Sequence, residues 1–363
     1  MSKNNKTIQL KGLNLIVTDD CNFACSYCPQ RKEKKFMSQN TIRKALEFFS
    51  SHMTEDANLG FYGGEPLLAF DHIRYAVSWT QSENRDRQTR WSYSLTTNGS
   101  LMTDDVLRFF NDYQFRVSLS FDGLTQDMQR KNKSADPLRR LIQRIPEFDG
   151  ITFAIFSVIT PQTVPLLVES VSAIIRTGAS EISLFISITQ PWSQTQLDEL
   201  KTEFQKLTDY LVSFYKQTGS IPVVNYRSKP RDPSLKFGCV GGRNQMAISS
   251  DERVWGCAVY YDYLKDKEGS DDYESYFFGY LDEFKTNYPT VYPRILANYS
   301  ALRQDCFFSE KDFCYLCEEV TNCITCPVNS AYVTSMIGKN PPYICDINRI
   351  KLAEIKRFGK ETE

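Results

Sequence analysis

The residues best suited to chemistry in this 363-residue chain are its eleven cysteines. The first three, Cys21, Cys25 and Cys28, have the spacing C-x3-C-x2-C, which puts three thiols on one short loop. Three thiolates can bind three irons of a [4Fe–4S] cluster and leave the fourth iron without a protein ligand, and an open metal position is what catalysis requires. The spacing alone also fits a zinc loop that lacks its fourth ligand, or cysteines that pack in a core.

The other eight cysteines lie after Ile221, where the regular pattern of apolar residues fades. They are Cys239, Cys257, Cys306, Cys314, Cys317, Cys323, Cys326 and Cys345. Disulfides are rare in a reducing cytosol, so this many thiols indicate a segment that is held together by metal. Two C-x2-C pairs among them fit iron–sulfur ligation and also two zinc sites that serve only folding.

The elements that must position the first cysteine loop alternate regularly along the chain. Short apolar runs predict strands at 13–17, 59–62, 91–95, 115–121, 152–159 and 181–186. Amphipathic runs predict helices at 41–49, 73–82, 104–110, 138–145, 165–177 and 197–216. Six strand–helix units predict an α/β fold with a parallel sheet, curved into a partial barrel or doubly wound. In both, ligands gather at the carboxyl ends of the strands.

Polar motifs follow three of these strands, at the ends where ligands are expected. The second strand ends in Gly63-Gly64-Glu65, the third in Thr97-Asn98 and the fourth in Ser120-Phe121-Asp122. Each motif is weak by itself because such residues commonly form turns. Glycines also allow a backbone to approach a ligand closely.

Together with the cysteine loop, these motifs resemble the radical SAM superfamily. The resemblance implies a partial (β/α)6 barrel in which S-adenosylmethionine chelates the open iron and is cleaved to a 5′-deoxyadenosyl radical. It also implies an electron donor such as flavodoxin or ferredoxin. The residues that it assigns to cofactor binding are Tyr27, Gly63, Gly64, Glu65, Thr97, Asn98, Ser120 and Asp122. Where relatives often carry His-Asp followed by Arg, this chain has Met128-Gln129, and we assign Arg130 as the arginine. No catalytic acid or base can be assigned.

The C-terminal cysteines resemble the SPASM extension of radical SAM enzymes, which holds two auxiliary [4Fe–4S] clusters. The resemblance implies an outer cluster bound by Cys314, Cys317, Cys323 and Cys345, and an inner cluster bound by Cys239, Cys257 and Cys326. The fourth inner ligand is either Cys306 or none, which would leave one iron open. Two departures are visible: Glu252 stands where relatives usually have glycine, and the gap between Cys323 and Cys326 is one residue shorter than usual.

These patterns predict two domains. Residues 1–218 would form the radical SAM barrel, and residues 219–363 a small, irregular, cysteine-rich SPASM domain. Within the second domain, residues 262–275 are rich in acids and tyrosine and are predicted to be a loop or an insertion.

Composition excludes several classes of function. The 43 Lys and Arg against 44 Asp and Glu leave no basic excess that would favour nucleic acid. The first eleven residues are polar, unlike a signal peptide, and no apolar run is long enough to span a bilayer. We therefore expect a cytoplasmic protein without nucleic-acid or membrane partners. The only two histidines, His52 and His72, are expected to be packing or surface residues.

Relatives of the SPASM type act chiefly on peptides and proteins, so the first hypothesis is a peptide maturase that crosslinks, epimerises or otherwise modifies a ribosomal peptide. The cysteine loop begins at Cys21, and we take this to leave no room for an N-terminal peptide-recognition domain. A separate leader-recognition protein would then serve. One aromatic-rich segment either lines a peptide groove or packs around a cluster; its aromatic residues are Trp255, Tyr260, Tyr261, Tyr263 and Tyr273.

Two alternatives remain. The second hypothesis is an anaerobic sulfatase-type maturase, which oxidises Ser or Cys to formylglycine. Those relatives carry a catalytic Asp beside the second SPASM cysteine, whereas here the neighbour of Cys257 is Ala258, and Asp262 has a different spacing. The third hypothesis is a non-catalytic metal-binding scaffold, against which the intact cysteine and Gly-Gly-Glu motifs argue.

Overall fold

The computed structural model describes residues 9–82, 89–130, 134–227, 238–303, 306–308 and 314–363. Its strands are β1 (Leu10–Thr18), β2 (Met53–Gly63), β3 (Arg90–Thr97), β4 (Arg116–Ser120), β5 (Thr152–Ile159), β6 (Ile182–Ile186), β7 (Gln245–Ile248), β8 (Arg253–Trp255) and β9 (Phe277–Tyr280).

The helices that follow or connect the strands are α1 (Gln39–Phe49), α2 (Phe70–Ser82), α3 (Asp104–Asp112), α4 (Gln126–Arg130), α5 (Ala135–Arg144), α6 (Leu167–Ile175), α7 (Gln194–Thr218), α8 (Ala258–Leu264), α9 (Asp271–Tyr276), α10 (Leu281–Ala301), α11 (Ala331–Thr334) and α12 (Pro342–Thr362). In the part of the chain that the structure describes, no helix combines the length and the apolar character needed to cross a membrane.

All nine strands form one sheet in the order β6-β5-β4-β3-β2-β1-β7-β8-β9. Strands β1 to β6 are parallel and stand beside their neighbours in sequence. A doubly wound sheet reverses its strand order at a switch point, whereas this order runs in one direction from β1 to β6. The α/β fold with a partial barrel is confirmed, and the doubly wound alternative is wrong.

The strands of the barrel form because their apolar residues are buried on both faces by neighbouring elements. Leu15 and Ile16, which point to opposite faces of β1, are both inaccessible to solvent, as expected for strands of a parallel sheet. The six predicted strands and six predicted helices of residues 13–216 all appear, with ends shifted by a few residues. The last of these helices, α7, begins at a capping box formed by Ser193 and Gln196 and stops at Gly219, whose φ is +69°.

The sheet continues past the predicted domain boundary. Strand β7 lies parallel to β1, with Leu13 opposite Met246, and β8 and β9 follow in antiparallel order. The cysteine-rich region, which we define as residues 238–363, therefore extends the barrel sheet on its β1 side. The boundary between residues 218 and 219 coincides with the end of α7 and remains a prediction.

The cysteine-rich region is more regular than its sequence predicts. Helices α10 and α12 each have 21 residues, and the 262–275 segment contains the end of α8 and most of α9 rather than a loop. Pro289 and Pro293 lie inside α10, and proline is a strong signal against helix in a sequence. Of the two interpretations of the aromatic residues, packing fits the structure, because all five are buried: Trp255, Tyr260, Tyr261, Tyr263 and Tyr273.

Candidate active site

The first three cysteines lie on a long loop that connects β1 to α1, and we call residues 19–35 the cluster loop. Its two ends are joined, since the Asp19 amide donates to the Lys35 carbonyl at 3.0 Å. The Cys21 amide donates to Asp20 at 2.9 Å, and the Ser26 amide to the Gln129 carbonyl at 2.8 Å. These bonds fix the backbone on both sides of the thiols.

Burial raises the pKa of the Cys21, Cys25 and Cys28 thiols, and the neighbouring thiols add to the increase for Cys25 and Cys28. Such thiols ionise when a metal replaces the proton. In the described ranges, no three Cys, His, Asp or Glu side chains stand where they could hold a single metal ion. The three thiols are nevertheless neighbours on one loop, and thiolates of that kind are the usual ligands of iron–sulfur clusters.

Gly63 and Gly64 allow the end of β2 to pack directly on the cluster loop. Gly63 has a φ of +147°, and a Cβ there would lie 2.0 Å from the Thr18 carbonyl oxygen. A Cβ at Gly64 would lie 2.2 Å from the Asp20 carbonyl oxygen. Any side chain at these positions would push β2 away from β1. Their closest neighbour in the structure is thus the backbone that leads into Cys21.

Glu65 is fully buried and joins β2 to the end of β3. One carboxylate oxygen accepts from the Thr97 hydroxyl at 2.7 Å and the Leu67 amide at 3.1 Å, and the other accepts from the Asn98 amide at 2.7 Å. Burial raises the pKa of Glu65, and the three hydrogen bonds oppose that increase. The structure therefore brings together Glu65, Thr97 and Asn98, as their positions at adjacent strand ends predict.

Asn98 extends this network to the cluster loop. Its Nδ2 donates to Asn22 Oδ1 at 2.8 Å and lies 4.0 Å from Cys21 Sγ. Its Oδ1 accepts from the Ser100 amide at 3.0 Å. The carboxyl end of β3 is thus connected to the first cysteine through one side chain.

Asp122 and Arg130 form a buried, two-pronged ion pair. Arg130 Nε donates to Asp122 Oδ2 at 2.9 Å and Nη2 to Oδ1 at 3.1 Å, and their side chains are 5% and 0% exposed. Asp122 also accepts from the Val158 amide at 2.8 Å. The Arg130 guanidinium lies 5.4 Å from the centre of the Tyr27 ring. Tyr27, Asp122 and Arg130 therefore lie together, but the charged groups of Asp122 and Arg130 bind each other. The roles of these three residues in ligand binding remain predictions, and so does the role of half-buried Ser120.

A cavity of about 680 Å³ opens beside Tyr27 and Cys28. Its walls come from the carboxyl end of β6, from α8 and from α12, so both the barrel and the cysteine-rich region contribute. Many lining residues are apolar, including Leu184, Ile186 and Val259. The volume lies within the range of small-molecule sites and would admit a short peptide segment.

Two polar residues of this cavity, Gln30 and Tyr62, were not predicted from the sequence, and a third, Asp262, was named but set aside for its spacing. Gln30 Nε2 donates to Asp262 Oδ2 at 2.8 Å, and the Tyr62 hydroxyl donates to the same oxygen at 2.9 Å. Asp262 Oδ1 accepts no hydrogen bond from the described residues. Burial raises the pKa of Asp262 to about 6, although both donors oppose the increase. A carboxylate held by one oxygen, with a pKa near neutrality, is suited to proton transfer.

Asp262 reaches the cavity because it lies on α8. The helix begins at Ala258, so residues 258 and 262 are four apart and share one face. The spacing of Asp262 from Cys257 still differs from the relatives' pattern, but the helix places Asp262 on the same face as residue 258. The sequence contained a sign of this helix, because the spacing of three and four residues between Ala258, Tyr261, Asp262 and Lys265 fits one helical face.

The four cysteines of the predicted outer cluster line one cavity together. They are Cys314, Cys317, Cys323 and Cys345, and Asn340 and Asn348 are in the same wall. Asn348 Nδ2 lies 3.4 Å from Cys323 Sγ. Burial raises the pKa of Cys314 to about 11, with smaller increases from Cys345 and Cys323. Amide donors near cluster sulfurs are a common way to tune iron–sulfur sites.

The predicted inner set is also brought together. Burial raises the pKa of Cys257 to about 12, and the nearby Cys326 and Cys239 thiols add to the increase. Cys306 is exposed, and its amide donates to the Arg303 carbonyl at 2.9 Å. The Cys239 amide donates to the carbonyl of the preceding residue, Leu302, so the two cysteines bind adjacent residues of the chain. Whether Cys306 is the fourth ligand remains a prediction.

Comparison with known proteins finds a family match within the barrel. Residues 15–164 match the family model of the Radical SAM superfamily. The radical SAM cyclopropyl synthase TigE of Paramaledivibacter caminithermalis is 22% identical over 296 residues, which cover 74% of this chain and 62% of that protein. The cysteine-type anaerobic sulfatase-maturating enzyme of Clostridium novyi is 28% identical over 126 residues, covering 31% of this chain and 33% of that protein.

One solved structure covers nearly the whole chain. Native anSMEcpe with bound AdoMet and the Cp18Cys peptide superposes with a TM-score of 0.72 at 15% identity, covering 98% of each chain. At this identity, the likeness shows the fold, which includes the cysteine-rich region.

Proposed function

We propose, from the match of residues 15–164 to the Radical SAM superfamily model, that this chain is a radical SAM oxidoreductase that abstracts a hydrogen atom from a peptide. The family implies a [4Fe–4S] cluster and S-adenosylmethionine. The observation that carries the proposal is the cavity, because the same cavity is lined by Tyr27 and Cys28 of the cluster loop and by Asp262 of α8. A substrate in that cavity would lie between the cluster and a carboxylate.

The residues of this chain fit the cofactor. Cys21, Cys25 and Cys28 would hold three irons of the cluster, and bound together with S-adenosylmethionine it would supply the 5′-deoxyadenosyl radical that removes a hydrogen atom. Glu65 and Asn98 hold the carboxyl ends of β2 and β3 against the cluster loop. We assign Tyr27, Thr97, Ser120 and the Asp122–Arg130 pair to the surroundings of S-adenosylmethionine.

Asp262 would accept a proton from the substrate. Its Oδ2 is fixed by Gln30 and Tyr62, which leaves Oδ1 to face the bound peptide. The outer and inner cysteine sets would hold two auxiliary clusters, and the chemistry that these would supply is uptake of the electron left on the substrate when a bond forms or a carbon is oxidised. An external electron carrier and, where needed, a leader-recognition protein are the remaining partners of the proposal.

The experiment begins without a peptide. Anaerobically reconstituted protein with dithionite and S-adenosylmethionine should produce 5′-deoxyadenosine, and the Cys25→Ala variant should lose that activity. Peptides encoded beside the gene are then co-expressed, and their mass and fragmentation are compared with and without the enzyme. The proposal fails if the reconstituted protein binds no iron, or if Cys25→Ala is as active as the unaltered protein.

The position of Asp262 also favours a second function, oxidation of a Cys or Ser in a protein to formylglycine. The sequence argued against it because Ala258 follows Cys257, but Asp262 lies on the same helical face and lines the cavity. The partial similarity to a cysteine-type sulfatase-maturating enzyme adds support. A cysteine-containing sulfatase-motif peptide separates the two functions: the aldehyde product would react with a hydrazine probe, whereas a crosslinked or epimerised peptide would not.

A further inference from the structure

The end of helix α8 contacts the cluster loop through a buried ion pair. Lys265, the residue that caps α8, places its Nζ 3.2 Å from Asp19 Oδ1 and donates to the Arg31 carbonyl at 2.8 Å. The two side chains are only 6% and 3% exposed. One ammonium group thus bonds to both the first residue of the cluster loop and a residue that follows its cysteines.

Asp19 receives further donors from the cysteine-rich region. The Tyr261 hydroxyl donates to Asp19 Oδ2 at 2.8 Å, and the Ser250 hydroxyl to the same oxygen at 3.1 Å. The Lys265 ammonium also lies 5.2 Å from the centre of the Tyr261 ring. All side-chain donors to this carboxylate among the described residues come from the cysteine-rich region, although Asp19 stands two positions before Cys21.

The two ends of α8 therefore meet different cysteine sets. Cys257 caps its first residue and Lys265 caps its last, with seven helical residues between them. A helix this short moves as one body, so a displacement at Cys257 reaches the cluster loop through Lys265. Asp262, on the same helix, faces the cavity and bonds to Gln30 of that loop.

We propose that Lys265 is a positioning residue, through which the cysteine-rich region sets the geometry of the loop that carries Cys21, Cys25 and Cys28. The inference rests on the proposed function, since it assigns a cluster to that loop. Lys265 acts through Asp19 and contacts no reacting atom. Loss of the ammonium leaves Asp19 buried without a compensating charge, and loosening of a site by about 1 Å can lower a rate on the order of a hundredfold.

The first test uses the protein before cluster insertion, so that it does not depend on turnover. Hydrogen exchange at residues 19–35 is compared in the unaltered protein, Lys265→Met and Arg31→Met. Arg31 is the matched control, because its pair with Asp266 joins the same loop to the same turn at 3.4 Å but is exposed to solvent. Lys265→Met should accelerate exchange in the loop by on the order of tenfold or more, and Arg31→Met should not change it.

The second test measures the reconstituted proteins. Lys265→Met should change the EPR signal that the reduced protein gives on addition of S-adenosylmethionine, and should lower the rate of 5′-deoxyadenosine formation at saturating S-adenosylmethionine by about tenfold or more. Loop exchange and EPR signal identical to the unaltered protein, or equal effects of both variants, would overturn the inference. If the unaltered protein itself binds no iron, the proposed function has failed instead.

Tyr261→Phe keeps the test decisive if Lys265→Met does not fold. This variant removes one hydrogen bond to Asp19 and changes no charge, so it should fold. It should accelerate exchange at residues 19–35 in the same direction by a smaller factor, about fivefold. Exchange unchanged in Tyr261→Phe would contradict a positioning role for the groups that hold Asp19.

Discussion

Two aspartates contact the cluster loop from different regions of the molecule, and they are stabilised in different ways. Asp122, in the barrel, is paired with Arg130, and both of its oxygens are occupied. Asp262, in the cysteine-rich region, is held by the neutral donors Gln30 and Tyr62 on one oxygen only. Asp122 thus has a buried opposite charge as its partner, whereas Asp262 has neutral donors and a pKa that burial raises to about 6. In the proposed function, the barrel side therefore serves position and the α8 side serves reaction.

The largest effect on stability is expected from removing the charge that compensates Asp122. Arg130→Met leaves a fully buried carboxylate with neutral donors only, and the free energy of unfolding should fall by about 3–5 kcal/mol. Urea unfolding monitored by circular dichroism measures the loss. Arg144→Met is the control, since its pair with Asp104 is exposed and should contribute about 1 kcal/mol or less. Equal losses in the two variants would contradict the assignment.

The pH dependence of stability should distinguish the two sites. The pKa of Asp262 is raised to about 6 in the folded protein, against about 3.9 in an unfolded chain. Between these values the native state retains a proton that the unfolded state releases, so Asp262 lowers stability as the pH rises from about 4 to about 6, by about 3 kcal/mol at most. Asp262→Asn should remove that part of the slope in urea unfolding of the cluster-free protein. A slope identical to that of the unaltered protein would show that folding does not shift the pKa of Asp262.

Substrate turnover should be more sensitive to Asp262 than to its neighbours. If this carboxylate accepts the proton of the substrate, Asp262→Asn should lower the product formed per 5′-deoxyadenosine by on the order of a hundredfold. Product and 5′-deoxyadenosine are quantified together by mass spectrometry with a co-expressed peptide substrate. Asp266→Asn changes an exposed carboxylate one turn later on the chain and should leave the ratio unaltered. A normal ratio in Asp262→Asn would remove the residue from the chemistry.

The difference between the regions also explains which parts could be predicted. Glu65, Thr97 and Asn98 were assigned to one site by the resemblance, and topology supported the assignment because the carboxyl ends of adjacent parallel strands meet. Asp122 and Arg130 were both assigned, but their pairing was not, because it depends on the path of the chain between β4 and α4. The grouping of the C-terminal thiols came from the resemblance to the SPASM extension and not from their spacing alone.

The α8 side could not be derived in the same way. Gln30, Tyr62 and Asp262 are separated by 32 and 200 residues along the chain, and only the fold brings them together. The acidic, tyrosine-rich composition of residues 262–275 suggested a loop, and this hid the helix that turns Asp262 toward the cavity. Contacts between regions distant in sequence are decided by packing, which composition does not encode.

The smallest effect is expected from Tyr62→Phe, and this variant gives the most specific test of the difference between Asp262 and Asp122. The variant removes the 2.9 Å hydrogen bond to Asp262 Oδ2 but keeps Gln30 and the ring. A donor to a carboxylate stabilises its ionised form, so its loss should raise the pKa of Asp262 and move the acid side of the pH–rate profile to higher pH. The rate below that pKa should fall about fivefold to tenfold, as expected for one hydrogen bond of about 1 kcal/mol.

Tyr332→Phe is the matched control, because this tyrosine lines the same cavity and its buried hydroxyl has no hydrogen-bond partner among the described residues. A shift of the pH–rate profile in Tyr62→Phe, with none in Tyr332→Phe, assigns the titration to Asp262. Equal shifts in both variants would attribute the titration to the cavity as a whole, and the contrast between Asp262 and Asp122 would be lost.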